Sequence, residues 1–121
     1  MDKKIVIIDD DKDILEAIKD LLEMEGYQVY VSQTGENILE ILRSFRPNLI
    51  LLDLLLSGES GISICETIRE TEDIKTIPII IMSAHPYAQK TIEGSGVNEF
   101  LRKPFDIEQF LLLLQKYMPS H

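Results

Sequence analysis

The sequence predicts an α/β domain: a doubly wound, five-stranded parallel sheet flanked by five helices. Three observations carry that reading. Short apolar, β-branched runs alternate five times with segments of helical periodicity. Several runs are apolar at consecutive positions, as strands buried on both faces are. No repeat, linker or low-complexity tract breaks the alternation, so one sheet can collect every strand. Right-handed crossovers then cover both faces of the sheet with helices.

The first strand is "KIVIID" (4–9). Ile14, Leu15, Ile18, Leu21 and Leu22 follow on one face of a helix. Asp11 is placed to cap that helix, Asp13 favours its positive end, and Gly26 stops it. "YQVYVS" (27–32) is the second strand, and Ile38, Leu39, Leu42 and Phe45 mark a helix ending before Pro47. "NLILLD" (48–53) is a strand that, like the first, terminates in aspartate. A loop, "LLLSGESG", leads to a third helix carrying Ile62, Cys65 and Ile68, with Gly58 and Gly61 expected to serve turn geometry. "IPIIIMS" (77–83) is the fourth strand, a weak helix covers 86–94, and "VNEFLRK" (97–103) is the fifth strand. "PFDIEQFLLLLQKYM" supplies the last helix.

At 121 residues the whole chain, 1–121, reads as a single domain. The formal net charge of −9 opposes direct contact with nucleic acid or an anionic membrane and favours a cation or a basic protein surface. Cys65 is the lone cysteine, so neither an internal disulfide nor a cysteine metal cluster can form. No charged-then-apolar leader opens the sequence and its apolar runs are too short to span a bilayer, so a soluble, cytoplasmic protein is expected.

Sheets of this kind place working residues beyond the carboxyl ends of their strands, at the switch in strand order. Those ends carry Asp9 and Asp10, Asp53, Ser83 and Lys103. Three carboxylates brought within about 4–6 Å would raise their own pKa values unless a cation joined them. Oxygen ligands without histidine or cysteine point to a hard ion, Mg²⁺ or Mn²⁺. Such a site keeps several waters and leaves room for a phosphoryl oxygen. Lys103 can neutralise a second oxygen and Ser83 can donate to a third. A carboxylate can itself be the nucleophile, and Asp53, alone on its strand, is the natural candidate.

Taken together, "IIDDDKD", "LLDLLLSGESG", "IIIMSA" and "FLRKPF" resemble, in order and spacing, the receiver domain of a two-component response regulator. The likeness covers essentially the whole chain and is similar to the single-domain chemotaxis regulators. It implies a flavodoxin-like sheet of order 2-1-3-4-5 and phosphorylation of Asp53 by a histidine kinase or histidine phosphotransfer protein. It implies that Asp9, Asp10, Asp53 and the backbone carbonyl of Leu55 hold Mg²⁺, and that Ser83 and the backbone of Ala84 meet the phosphoryl group. Phe100 would swing inward behind Ser83, unless it serves only as core, and the bond to Pro104 would be cis. The output would be a changed surface on the fourth helix, fifth strand and fifth helix, read by an unknown output protein or domain. The chain would then be a signalling switch that catalyses only its own phosphorylation and dephosphorylation. A haloacid-dehalogenase-type phosphohydrolase would need a threonine that "DDDKD" lacks, and a flavin carrier would need a phosphate loop that is not triple aspartate. The full set of acids, hydroxyl and lysine argues against a degenerate receiver serving only as an interaction module.

Three departures stand out. Ser57 occupies a position where most relatives have proline, which should loosen the loop without touching the chemistry. In the last helix, Leu112 and Leu113 exceed what a core needs and suggest an apolar docking surface, for a partner or a homodimer. Leu55 cannot orient an attacking water, so phosphate should be lost slowly, although His85 could oppose this by positioning that water. Leu55→Asn should therefore shorten the lifetime of the phosphorylated form, followed as loss of label over time. An unchanged lifetime would remove that role for Leu55.

Overall fold

In the computed structural model, which describes residues 3–118, the five apolar runs form one parallel sheet. In chain order the elements are β1 (Lys4–Ile8), α1 (Lys12–Met24), β2 (Gln28–Ser32), α2 (Ile38–Phe45), β3 (Leu49–Asp53), β4 (Leu55–Leu56), β5 (Glu59–Ser60), α3 (Gly61–Arg69), β6 (Ile79–Ser83), α4 (Ala88–Thr91), β7 (Glu99–Arg102) and α5 (Ile107–Tyr117). The sheet runs β2-β1-β3-β6-β7, which is the expected order once β4 and β5 are counted. His121 and the two ends of the expected 1–121 domain lie outside the described residues.

Alternate residues of the central strands feed two cores. Val6, Ile8, Ile50, Leu52, Ile79 and Ile81 face one side, against Leu42 of α2, Ile64, Cys65 and Ile68 of α3 and Ala88 of α4. Ile5, Ile7, Leu49, Leu51, Ile80 and Met82 face the other, against Leu15, Ile18 and Leu22 of α1 and Phe110 and Leu114 of α5. This two-sided demand is why β3 and β6 are buried along their full length. β2 and β7 do not share that burial, because each closes an edge of the sheet. Asp11 does cap α1, accepting hydrogen bonds from the backbone N–H groups of Asp13 and Ile14.

Several elements differ from expectation. The loop after β3 contains an antiparallel hairpin, β4 paired with β5, closed by Ser57 and Gly58. Gly58 has a φ of +75°, as the third position of a type II turn requires. The weak helix is one turn, Ala88–Thr91, rather than 86–94. Leu113 packs partly against the core beside α5, whereas Leu112 is 66% exposed. Helical phase explains the difference: Leu112 lies two residues, about 200° of rotation, beyond the buried Phe110. The expected docking surface thus reduces to Leu112, with Leu113 at its margin.

Gly61 also differs from its expected turn role, since its φ is not in the left-handed region. It opens α3 with its N–H donating to the Leu54 carbonyl at 2.7 Å. A Cβ at this position would fall on the Asp53 carbonyl oxygen and 3.0 Å from the Leu54 Cα. The glycine therefore lets α3 begin directly against the end of β3. Gly61→Ala should cost about 1–3 kcal/mol through backbone displacement. The check is a lowered urea midpoint at constant denaturant slope; an unmoved midpoint would refute the close-approach role.

Candidate functional site

Strand register assembles the site. Ile8 pairs with Leu52, so Asp9 and Asp53 are the next residues along two neighbouring strands. Asp53 pairs with Met82, which sets Ser83 one step further, and Ser83 pairs with Arg102, which sets Lys103 beyond it. Four separate chain segments thus deliver their polar ends to one cleft, at the point where the strand order reverses between β1 and β3.

The carboxylates are held in different ways. Asp9 is fully buried; its Oδ2 accepts from Lys103 Nζ at 2.6 Å and its Oδ1 from the Asp11 backbone N–H at 2.9 Å. Asp53 is also buried; its Oδ1 accepts from the Leu55 N–H at 3.3 Å and its Oδ2 from Lys103 Nζ at 3.4 Å. Asp10 is exposed; its Oδ2 accepts from the Ser57 hydroxyl at 3.2 Å and its carbonyl from Gln33 Nε2 at 3.3 Å. One oxygen from each acid lies within 4.8 Å of the others.

One ammonium faces three acids. Burial, then the neighbouring Asp9, push the Asp53 carboxyl up from 3.8 to about 6, against the pull of Lys103 and the Leu55 N–H. Burial alone would depress the Lys103 ammonium, but its contacts with Asp9 and Asp53 outweigh that and raise it. Lys103 therefore stays charged and cannot by itself satisfy the cluster. An all-oxygen donor set with surplus negative charge fits a hard divalent cation.

Ser83 is buried and its Oγ accepts from the His85 N–H at 3.0 Å. Asp53, Leu55, Ser83, Ala84, His85 and Lys103 line an open cleft of about 410 Å³. Leu55 is 60% exposed at its mouth. His85 is exposed, and its Nδ1 accepts from the Tyr87 N–H at 3.1 Å, which leaves Nε2 outside that bond. The Lys103–Pro104 peptide is cis. Phe100 lies away from the acids, half-buried against the core shared by α2 and α3. Leu112 and Leu113 are also outside the cleft, on α5.

Two contributors escaped the sequence reading. Ser57 was expected to leave the chemistry alone, yet its hydroxyl reaches Asp10. Gln33, just past the end of β2, holds the Asp10 backbone. A hydroxyl beside a turn glycine, four residues past Asp53, was the one available clue to the first; nothing local marks the second. A further groove borders the cleft, almost wholly apolar and lined by Ile14, Ala17, Ile18, Ala84, Lys103, Pro104 and Phe105.

A family model described as the response regulator receiver domain matches residues 5–115. The chain is 30% identical over 113 residues to the response regulator MprA of Mycolicibacterium vanbaalenii, covering 92% of this chain and 48% of that protein. It is 36% identical over 110 residues to the DNA-binding dual master transcriptional regulator RpaA of Synechocystis sp., covering 89% of this chain and 46% of that protein. The chain thus spans about half the length of these curated relatives. Among solved structures it is similar to the chemotaxis response regulator CheY4 of Vibrio cholerae, with a TM-score of 0.87 at 25% identity, covering 98% of this chain and 100% of that one.

The Asp53 shift has a consequence for stability. Its carboxyl keeps a proton up to about pH 6 in the folded chain but only to its ordinary 3.8 when unfolded. Between those values the native form binds more protons, so this group lowers stability as pH rises. In the presence of a chelator, Asp53→Asn should be the more stable form near pH 7, on the order of 2 kcal/mol, with the gain vanishing below about pH 4. Denaturant titrations of both chains across that range check it; parallel pH profiles would refute the shift.

Proposed function

The chain belongs to the response regulator receiver domain family, and we propose that Asp53 is its phosphoacceptor, supplied by a phosphohistidine on a histidine kinase or histidine phosphotransfer protein. The observation that carries this reading is the juxtaposition of Asp53 with Lys103 and the Leu55 N–H on one side and Asp9 and Asp10 on the other. An Asp53 oxygen would attack the phosphorus in line. The new O–P bond forms as the P–N bond breaks, its electron pair leaving on the imidazole nitrogen, which is then protonated. The Lys103 ammonium would neutralise one phosphoryl oxygen, and Ser83 and the Ala84 backbone would meet another; Lys103, Ser83 and Ala84 line the same cleft, which supports this reading.

Asp9, Asp10, Asp53 and the Leu55 carbonyl would hold Mg²⁺, or Mn²⁺ in its place. When bound, such an ion neutralises charge that the acids and the incoming phosphoryl group would otherwise set against each other. Asp9, already engaged by Lys103 and the Asp11 N–H, would serve as the fixed wall of the site. Asp10, the exposed member, would be the ligand first met from solvent.

The donor would dock in the apolar groove beside Lys103, which Ala17 and Phe105 help to line. The output would be a population shift in the surface formed by α4, β7 and α5, with Phe100 turning inward as Ser83 engages the phosphoryl group. Residues 1–121 would form a single receiver domain, a switch acting in the cytoplasm; among the described residues no helix is long and apolar enough to cross a membrane. Since the curated relatives are about twice as long, the partner would be either a fused output domain or a separate protein. Leu112 offers it, or a second copy, an exposed apolar point on α5. The net charge of −9 disfavours DNA contact by this segment itself, whatever a longer protein binds.

Acetyl phosphate with Mg²⁺ should add one phosphoryl group, read by intact mass, and Asp53→Asn should abolish the addition. Ala17→Glu should slow transfer from a phosphohistidine protein at least tenfold more than from acetyl phosphate. Phosphorylation surviving Asp53→Asn would overturn the acceptor assignment, and equal slowing of both donors would overturn the groove.

A further inference from the structure

We propose that Ser57 is a positioning residue for the cation site, acting through Asp10. The inference rests on the reading of the acids as a Mg²⁺ site. Asp9 and Asp53 are buried and each has both carboxylate oxygens in hydrogen bonds, so strand ends and Lys103 fix their orientation. Asp10 has no such support from the core. Its side chain is exposed and would sample several rotamers, losing that freedom on binding an ion.

The Ser57 hydroxyl supplies the missing restraint. It donates to Asp10 Oδ2 at 3.2 Å across 47 residues of chain, while Gln33 Nε2 holds the Asp10 carbonyl at 3.3 Å. The hydroxyl is itself steadied. It sits at the tip of the β4–β5 hairpin, whose Leu56 is buried, so the tip cannot drift far from the cleft. On the other strand of the hairpin, Glu59 lies against Gly35, where a Cβ would collide with its carboxylate. The hairpin is thereby seated against the loop that follows β2, close to Gln33. Two clasps from different segments grip the one acid that the sheet does not.

A hydroxyl donated to a carboxylate that ligates a metal orients it and offsets part of its charge; losing such a partner commonly weakens metal affinity about 10–100-fold. Ser57 stands on an exposed tip where water competes for the same bond, so the lower end of that range applies. Proline at this position would suit a turn whose next residue is Gly58 at a φ of +75°, but it would leave Asp10 without a donor. The departure from proline is therefore a change of function at the site as well as of loop stiffness.

The test is a titration of the full chain with Mn²⁺, read by the electron paramagnetic resonance of the free ion, with Mg²⁺ as competitor. Ser57→Ala and Ser57→Pro should each raise the Mn²⁺ and Mg²⁺ dissociation constants about tenfold. Ser57→Thr, which keeps the hydroxyl, should stay within about twofold of the unsubstituted chain. Melting temperatures in chelator should not fall in any of the variants, which separates a positioning role from general damage. Ser57→Ala binding as tightly as the unsubstituted chain, or Ser57→Thr losing as much as Ser57→Ala, overturns this inference alone. An unsubstituted chain that binds neither ion overturns the Mg²⁺ reading and this inference with it.

Discussion

A fully buried carboxylate bonded to a lysine 94 residues away is the constraint on which the rest of the site depends. Asp9 has no access to water, so its charge is tolerable only because Lys103 and the Asp11 N–H supply three-dimensional compensation. That contact draws the end of β7 across two intervening strands toward the end of β1, and β3 and β6 must pass between with their own ends aligned. Lys103 spends most of its attraction on Asp9, at 2.6 Å, and gives Asp53 a longer contact of 3.4 Å. Asp53 is left buried and incompletely neutralised, with its carboxyl lifted to about 6. With three carboxylates facing one ammonium, the site is built two positive charges short. On the proposed reading, an oxygen-ligated divalent cation would make up this shortage, and with it in place the acids would tolerate a phosphoryl group they would otherwise repel.

How legible this was depended on whether the determining contact was local. The strand ends could be read because burial forbids charge within a strand, so Asp9, Asp53, Ser83 and Lys103 had to stand where apolar runs stop. Their convergence followed from parallel topology, which puts all carboxyl ends on one edge of the sheet. The Asp11 cap could be read because its partners, Asp13 and Ile14, are two and three residues away. The β4–β5 hairpin could not, since two-residue strands are too short to display any period. Nor could the role of Gly61, because the carbonyl that excludes a side chain there belongs to Asp53 and arrives through folding. For Leu112 and Leu113 the phase of α5 held the answer. Counting from Phe110 separates the half-buried residue from the exposed one, whereas counting leucines does not.

The hairpin divides labour with the sheet. Strands fix Asp9 and Asp53 through register and burial, an arrangement set by the core of the sheet. Asp10 is held by polar contacts from Gln33 and Ser57, on surface segments where substitution costs the core nothing. On the proposed reading, affinity for a cation would thus be tuned at the rim while Asp53 and Lys103 stay in place. Exposed polar contacts are individually weak as stabilisers. On the proposed reading, their value here would lie in limiting the rotamers of Asp10.

The same separation of rigid and adjustable parts extends from the cleft to the surface. Lys103 directly follows β7, and β7 carries Phe100 and Glu99. Glu99 accepts from Tyr117 Oη at 2.6 Å and from Lys116 Nζ at 2.9 Å, so the strand is clasped to the last turn of α5. These bonds hold the Glu99 carboxyl below its usual range, while burial and Glu99 push the Tyr117 phenol up to about 12. The Glu99–Tyr117 bond consequently keeps its charge pattern throughout the pH range in which Asp53 titrates. On the proposed reading, a phosphoryl group at Asp53 would compete with Asp9 for Lys103 and pull on one end of a four-residue strand. The other end of that strand is tied to α5, and Phe100 lies between them. A strand this short, buried at only Leu101, has few contacts of its own to absorb such a pull. The geometry that leaves Asp53 under-neutralised thus also sets the lysine that reaches it directly beyond β7, an edge strand of the sheet.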